Sequence, residues 1–146
     1  ARMAMAAGCR MVIANGMEDH PLARMEAGGR VTWFLPDANP LTARKQWISG
    51  SLKPGGAVVV DDGAGRALAR GKSLLPAGVV KVEGRFERGD AVTVKTQSGD
   101  HLGRGLIAYS AADARRIAGA KSKEIEAILG YRGRDEMIHR DDLVLD

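Results

Sequence analysis

The segment Gly65 to Ser73, GRALARGKS, comes close to a phosphate-binding loop. Such a loop wraps backbone N–H groups around an anion at the start of a helix, with a lysine reaching the terminal phosphates. Two features speak against that chemistry here. Five residues separate Gly65 from Gly71 where the loop needs four, and Gly71-Lys72-Ser73 follows a helical stretch, at its negative end. The simpler reading is a glycine stop with Lys72 complementing the last carbonyls. A dinucleotide fingerprint fails in a similar way, because Leu68 takes the third small position after Gly63 and Gly65. Gly103-x-Gly105-x-x-Ala108 fits the letters but leads into a strand, so its glycines mark a bulge or a close backbone approach. His139-Arg140-Asp141 spells a kinase catalytic triplet, yet only five residues follow it.

The remaining acid–base candidates are weaker. His20, His101 and His139 are scattered, with no pair at metal-ligand spacing. Asp61-Asp62 is a carboxylate pair, but at a helix start it reads first as an N-cap and a dipole partner. Trp33, Phe34, Trp47, Phe86, Tyr109 and Tyr131 are too dispersed for a base-stacking platform and read mostly as core.

The elements that position these residues fall into two patterns. Up to Leu35 the chain alternates helix and strand: an Ala- and Met-rich start from Arg2 to Ala7, an apolar run Arg10 to Ala14, a helix from Pro21, and an extended Arg30 to Leu35. The start reads as a helix entered midway, so the natural polypeptide is expected to begin earlier. Asn39 and Pro40 then open a helix with Leu41, Arg44, Trp47 and Ile48 on one face and Gly50 as its stop, followed by a linker from Ser49 to Gly56. After the linker, Ala57 to Val60 is a buried strand and Asp61 to Gly71 a helix. Val79 to Val82, Ala91 to Thr96 and Leu102 to Tyr109 are short strands. Ser110 with Asp113 forms a capping box, Ser122 caps a helix ending at Gly130, and Glu136 to Ile138 and Leu143 to Leu145 are candidate edge strands. Five or six short strands with one early helix suggest a small mixed barrel.

Composition bounds the function. The chain has 146 residues, 22 Lys plus Arg and 18 Asp plus Glu, and a formal charge of +4. Its longest apolar runs fall far short of the ~20 residues that span a bilayer. Cys9 is the only cysteine, which excludes a disulfide scaffold and favours the cytoplasm. From Arg66 to Arg116 ten basic residues face five acidic ones, a net +5 that leaves −1 for the rest. Such a stretch suits either phosphate contacts or a solvated strand face.

From Pro40 onward a series of motifs is specific: Pro40-Leu41-x-x-Arg44-Lys45-x-Trp47-Ile48-x-Gly50, Val60-Asp61-x-Gly63-Ala64, Leu74-Leu75-Pro76-x-Gly78-Val79 and Gly84-x-Phe86-x-x-Gly89-Asp90. Gly103-Arg104-Gly105-Leu106, Leu129-Gly130-Tyr131 and Ile138-His139-Arg140-Asp141 continue it. This order resembles the C-terminal part of the bacterial glutamate 5-kinase family, and upstream Ile13-Ala14-Asn15-Gly16 and Thr32-x-Phe34 resemble the end of its kinase domain.

The resemblance implies an α+β fold: a PUA-like mixed β-barrel over residues 51–146, preceded at residues 1–50 by the C-terminal edge of an α/β amino-acid-kinase domain and a linker. It implies a parent enzyme that phosphorylates the glutamate side-chain carboxylate with ATP and Mg2+, in the first step of proline biosynthesis. Catalytic, cofactor and metal residues are expected outside this chain, which alone should be inactive and have a regulatory or assembly role. The implied partners are the upstream kinase domain and further copies of the chain, with no membrane. The alternative is an RNA-binding PUA module, in which Arg66, Arg70, Gly71, Lys72, Ser73, Gly78 and Arg104 would meet RNA or another partner. A kinase remnant cut from its sheet exposes strand edges, so residues before Gly50 are expected to pair with another chain or to be locally disordered.

Overall fold

The computed structural model describes residues 4–5, 8–36 and 40–146. Of the Ala- and Met-rich start, only Ala4 and Met5 lie within it, and both are helical. The Asn39 cap lies outside the described residues. The chain divides into two compact units, residues 1–44 and 45–146.

In the first unit, strand β1 (Met11–Ile13) pairs antiparallel with β2 (Thr32–Phe34), with Val12 opposite Trp33. Helix α1 (Pro21–Glu26) lies between them in sequence, and Pro21 occupies its first turn, where a missing N–H costs nothing. From residue 8 to residue 36 no side chain is buried. Helix α2 (Pro40–Ser51) then carries the chain across the division. It runs through Gly50 instead of stopping there, because a glycine costs a helix only about 1 kcal/mol relative to alanine. The linker is accordingly shorter than the sequence suggests, beginning at Leu52. On α2 the side chains of Ala43 and Ile48 are buried, whereas Arg44 and Trp47 are exposed.

The second unit is a five-stranded mixed sheet with helices. Its strands are β3 (Gly56–Val60), β4 (Val79–Gly84), β5 (Ala91–Thr96), β6 (His101–Leu106) and β7 (Leu143–Leu145), in spatial order β4-β3-β5-β6-β7. Only β3 and β5 run parallel. Leu74 and Ile138 add an isolated antiparallel bridge, so the Glu136 to Ile138 candidate contributes one bridge rather than a strand. Alternation sets the faces: Val58, Val82 and Val94 are in register and point inward, while Ala57, Glu83, Thr93 and Arg104 form a row on the outer face.

Helices supply the other side of the core. Leu68 comes from α3 (Asp62–Ala69), Ala114 and Ile117 from α4 (Ala111–Ile117), and Ile125 from α5 (Ile125–Leu129). Phe86, Tyr109, Met137 and Ile138 complete it. Each large aliphatic buried here contributes about 1.5–3 kcal/mol. Tyr109 donates its hydroxyl to the Arg134 carbonyl, and burial, reinforced by Tyr131, raises its phenol above the ordinary range. Trp33, Trp47 and Tyr131 are about half exposed, so the expectation of mostly buried aromatics holds only for Phe86 and Tyr109 among those clearly in or out of the core.

Two helix starts differ in how the sequence reading fared. Ser110 accepts from the Asp113 N–H at 3.2 Å, as a cap should. Ser122 is not a cap. Lys121 holds that position, its N–H donating to the Glu124 carboxylate at 3.0 Å, while the Ser122 hydroxyl donates to the Asp135 carbonyl at 2.8 Å. The bond orients the Ser122 hydroxyl toward the segment before Met137.

Candidate functional site

The site candidates gather on α3 and the loop that follows it. Asp61 caps α3, accepting from the Ala64 N–H at 2.7 Å. At the other end the chain turns through Gly71 at φ +75°, with Gly71 N–H donating to Leu68 O at 2.8 Å and Lys72 N–H to Ala67 O at 3.1 Å. This is a Schellman closure, which satisfies the helix's last carbonyls and fixes the backbone of Lys72. The glycine-stop reading of Gly71-Lys72-Ser73 therefore stands, and no phosphate-loop geometry exists there.

The loop is fastened on two sides. Ser73 Oγ accepts from the Arg140 N–H at 3.0 Å, and Leu74 exchanges backbone hydrogen bonds with Met137 and Ile138. Further on, Gly78 O accepts from the Asp61 N–H at 3.0 Å. A Cβ on Gly78 would stand 2.5 Å from the Ala64 Cβ, so glycine is what allows the loop to lie against α3.

Two grooves flank this loop. The wider, of about 590 Å³, lies between α3 and the loop and is lined mainly by small or apolar side chains, among them Ala64, Ala67, Leu74 and Leu75, with Asp61, Lys72, Ser73 and Glu136 as polar members. The narrower, of about 270 Å³, has Leu68, Leu143 and Leu145 with Lys45, Lys72 and Arg140. Of the sequence candidates, the wide groove brings together Lys72, Ser73 and Gly78, and the narrow one Gly71 and Lys72. Arg66 and Arg70 are exposed on α3 and at its C-cap, and line neither. Arg104 stands apart on the outer sheet face, between Thr93 and Val144. Sequence reasoning missed Lys45 and Arg140. Their neighbours in sequence did not single them out as site residues, because only long-range folding brings them to the groove that Lys72 lines.

Much of the basic middle segment is engaged elsewhere. Glu83 sits between Lys95 at 2.7 Å and Lys81 at 2.9 Å, and these hydrogen bonds, the Lys95 one foremost, hold its carboxyl down at about 2. Arg115 and Arg116 donate to the carbonyls of Gly84 and Ile128. Among the described residues no ion pair involves Arg66, Arg70 or Lys72. The histidines do not converge: His101 pairs with Asp146, and His139 caps the turn Arg140–Asp142, 3.5 Å from the Asp141 carboxylate. Among the described residues no group of three or more His, Cys, Asp or Glu could hold a metal ion, and no helix is long and apolar enough to cross a membrane.

A mixed sheet capped by α3, with the glycine-bearing loop laid against that helix, agrees with comparison to known proteins. The PUA domain family matches residues 56–129, and the chain belongs to that family. Over all 146 residues it is 65% identical to the glutamate 5-kinase of Paramagnetospirillum magneticum, of which it covers 40%. It is 60% identical to the glutamate 5-kinase of Rhodospirillum rubrum, covering 39%. The chain thus spans about two fifths of the length of these curated relatives, matching their C-terminal part. Among solved structures, a PUA domain from Aeropyrum pernix K1 in a tartrate complex is similar at TM-score 0.44 and 25% identity, over 77% of this chain and 52% of that one.

Proposed function

We propose that this chain is the C-terminal portion of a glutamate 5-kinase, an ATP- and Mg2+-dependent cytoplasmic enzyme that phosphorylates the glutamate side-chain carboxylate. The observation that carries the reading is 65% identity along the whole of the chain. Residues 51–146 are then its PUA domain, and residues 1–50 the edge of its amino-acid-kinase domain with the linker. Ile13, Met17, Leu22, Trp33 and Leu35 are all at least half exposed in the first unit, which supports an edge that further kinase elements would cover. Phosphoryl transfer rests on positioning and on cations around the developing charge, and the residues around Gly71-Lys72-Ser73 do not form the required cradle. Upstream residues would supply it. The test is an assay of ATP-dependent glutamyl phosphate formation. Background turnover by this chain and activity in the complete gene product are expected; turnover by the chain alone, or an inactive complete product, would overturn the reading.

The PUA domain serves regulation or assembly of a homo-oligomer in this reading. If the complete enzyme lacking residues 51–146 keeps its oligomeric state, activity and proline sensitivity, that role falls. A second reading, RNA binding through α3 and its loop, is favoured by the exposed Arg66, Arg70 and Lys72, which form no ion pair among the described residues. Each phosphate neutralised would add roughly −0.9 to the slope of log affinity against log salt. A titration against structured RNA that gives no binding at low salt, or no salt dependence, removes it.

A further inference from the structure

The chain has two asparagines, and the residues that follow them set their chemistry apart. Asn15 precedes Gly16, whereas Asn39 precedes Pro40. The side-chain amide of an asparagine can be attacked by the backbone nitrogen of the next residue, closing a cyclic imide. Glycine offers that nitrogen with no Cβ in the way, while proline has no N–H to give up.

The first unit presents Asn15 in a form suited to this closure. Asn15 and Gly16 are both exposed in the turn after β1. Asn15 Oδ1 accepts from the Met17 N–H at 3.1 Å, the local bond by which an asparagine closes a turn on its own backbone. It folds the side chain forward over the Asn15–Gly16 peptide and polarises the side-chain carbonyl carbon. Nδ2, the nitrogen that would leave, donates to Glu18 Oε1 at 3.2 Å. The attacking nitrogen is free: among the described residues the Gly16 N–H finds no acceptor. Packing does not resist the movement either, since a Cβ built on Gly16 would meet nothing within 4 Å.

We propose that Asn15-Gly16 is a site of spontaneous covalent modification, at which Asn15 ages to aspartate and isoaspartate. The Gly16 nitrogen gives its proton to a solvent base and attacks Asn15 Cγ. A C–N bond forms there as the side-chain nitrogen leaves as ammonia. Water then opens the imide at either carbonyl, so one water is consumed for each ammonia released. Opening at the backbone carbonyl routes the main chain through the side chain and lengthens it by a methylene. Either product replaces the Nδ2–Glu18 bond with two neighbouring carboxylates, beside an Arg24 that already pairs with Glu18 at 2.8 Å. The new charge lies at a recess of about 490 Å³ lined also by Arg30. The added methylene falls two residues beyond Ile13, whose partner in the β1–β2 pairing is Thr32.

Incubation of this chain at mildly alkaline pH, then proteolysis and mass spectrometry of the peptide from Met11 to Arg24, tests the proposal. Conversion of amide to acid is expected at Asn15, as a mixture of aspartate and isoaspartate, with Asn39 unchanged. Gly16→Ala should slow it at least about tenfold, equivalent to about 1.4 kcal/mol of barrier. The open space around Gly16 leaves that variant folded. The native chain should convert at no less than about a third of the rate in urea, because an exposed turn without buried contacts gives little protection. A lower native rate, a product that is aspartate alone, or an undiminished rate in Gly16→Ala would each overturn the proposal.

Discussion

Glu83 lies between two ammonium groups on the outer sheet face, and its ionisation is linked to folding. Its carboxyl is lowered from 4.5 to about 2, first by the Lys95 hydrogen bond and then by that from Lys81. A group whose folded value is depressed adds stability that is fully present above its unfolded value and is lost as pH falls through the folded one. The difference in melting temperature between this chain and Glu83→Gln should therefore be constant above about pH 5, shrink between 4.5 and about 2, and vanish below. Thermal melts across that range check it; a difference that persists at pH 2 contradicts the linkage. Gly103 presents a steric case instead of an electrostatic one. It lies at φ +154°, and a Cβ there would stand 2.1 Å from the Val144 carbonyl oxygen, which is backbone and cannot turn aside. Gly103→Ala should push β7 from β6 and cost about 1–3 kcal/mol in chemical denaturation. Gly16→Ala, with nothing within 4 Å, should be neutral to within about 0.5 kcal/mol. The sequence spacing of Gly103 and Gly105 already pointed to close backbone approach, although which strand approaches was settled only by the fold.

Elements were legible where both partners of an interaction lie within a few residues. Asp61 as cap and Gly71 as stop follow from local chemistry, and both ends of α3 are built that way. Asp61→Ala should cost about 1 kcal/mol, Asp61→Asn much less, because only the side-chain oxygen facing the Ala64 N–H matters. Urea titrations of the two variants make the comparison; equal losses would mean that charge, not the cap, is at work. Helix α2 shows the limit of a local rule. Gly50 has the composition of a stop, yet the helix continues to Ser51, and a Cβ at Gly50 would meet nothing within 4 Å. Gly50→Ala should therefore raise stability by about 0.4–1 kcal/mol, through a less flexible unfolded chain and better helix propensity. What could not be read locally is long-range pairing. Ser122 turned to a carbonyl beyond its helix, and Lys45 and Arg140 reach Lys72 across the fold. No spacing rule connects residues that separate secondary elements bring together.

At the scale of the molecule, the distribution of burial decides which part can stand alone. Every residue of the connected core, from Val58 to Leu143, belongs to residues 45–146, and the sheet pairs entirely within that unit. The first unit has two three-residue strands joined only to each other, and no buried side chain from residue 8 to residue 36. An isolated two-stranded pairing is marginal in water, and a chain this short buries too little apolar surface to offset its conformational entropy. The units should therefore differ sharply when separated. A chain of residues 45–146 should unfold in one cooperative transition, with a melting temperature within a few degrees of the whole chain. A peptide of residues 1–44 should give a coil-like circular dichroism spectrum and unprotected amides. In the intact chain, amides of β3, β5 and β6 should then exchange slowest and those of β1 and β2 fastest, since local opening is cheapest where few buried contacts oppose it. Protection of β1 and β2 equal to that of β5, in a strictly monomeric sample, would contradict this ordering and show that the first unit has a stability of its own.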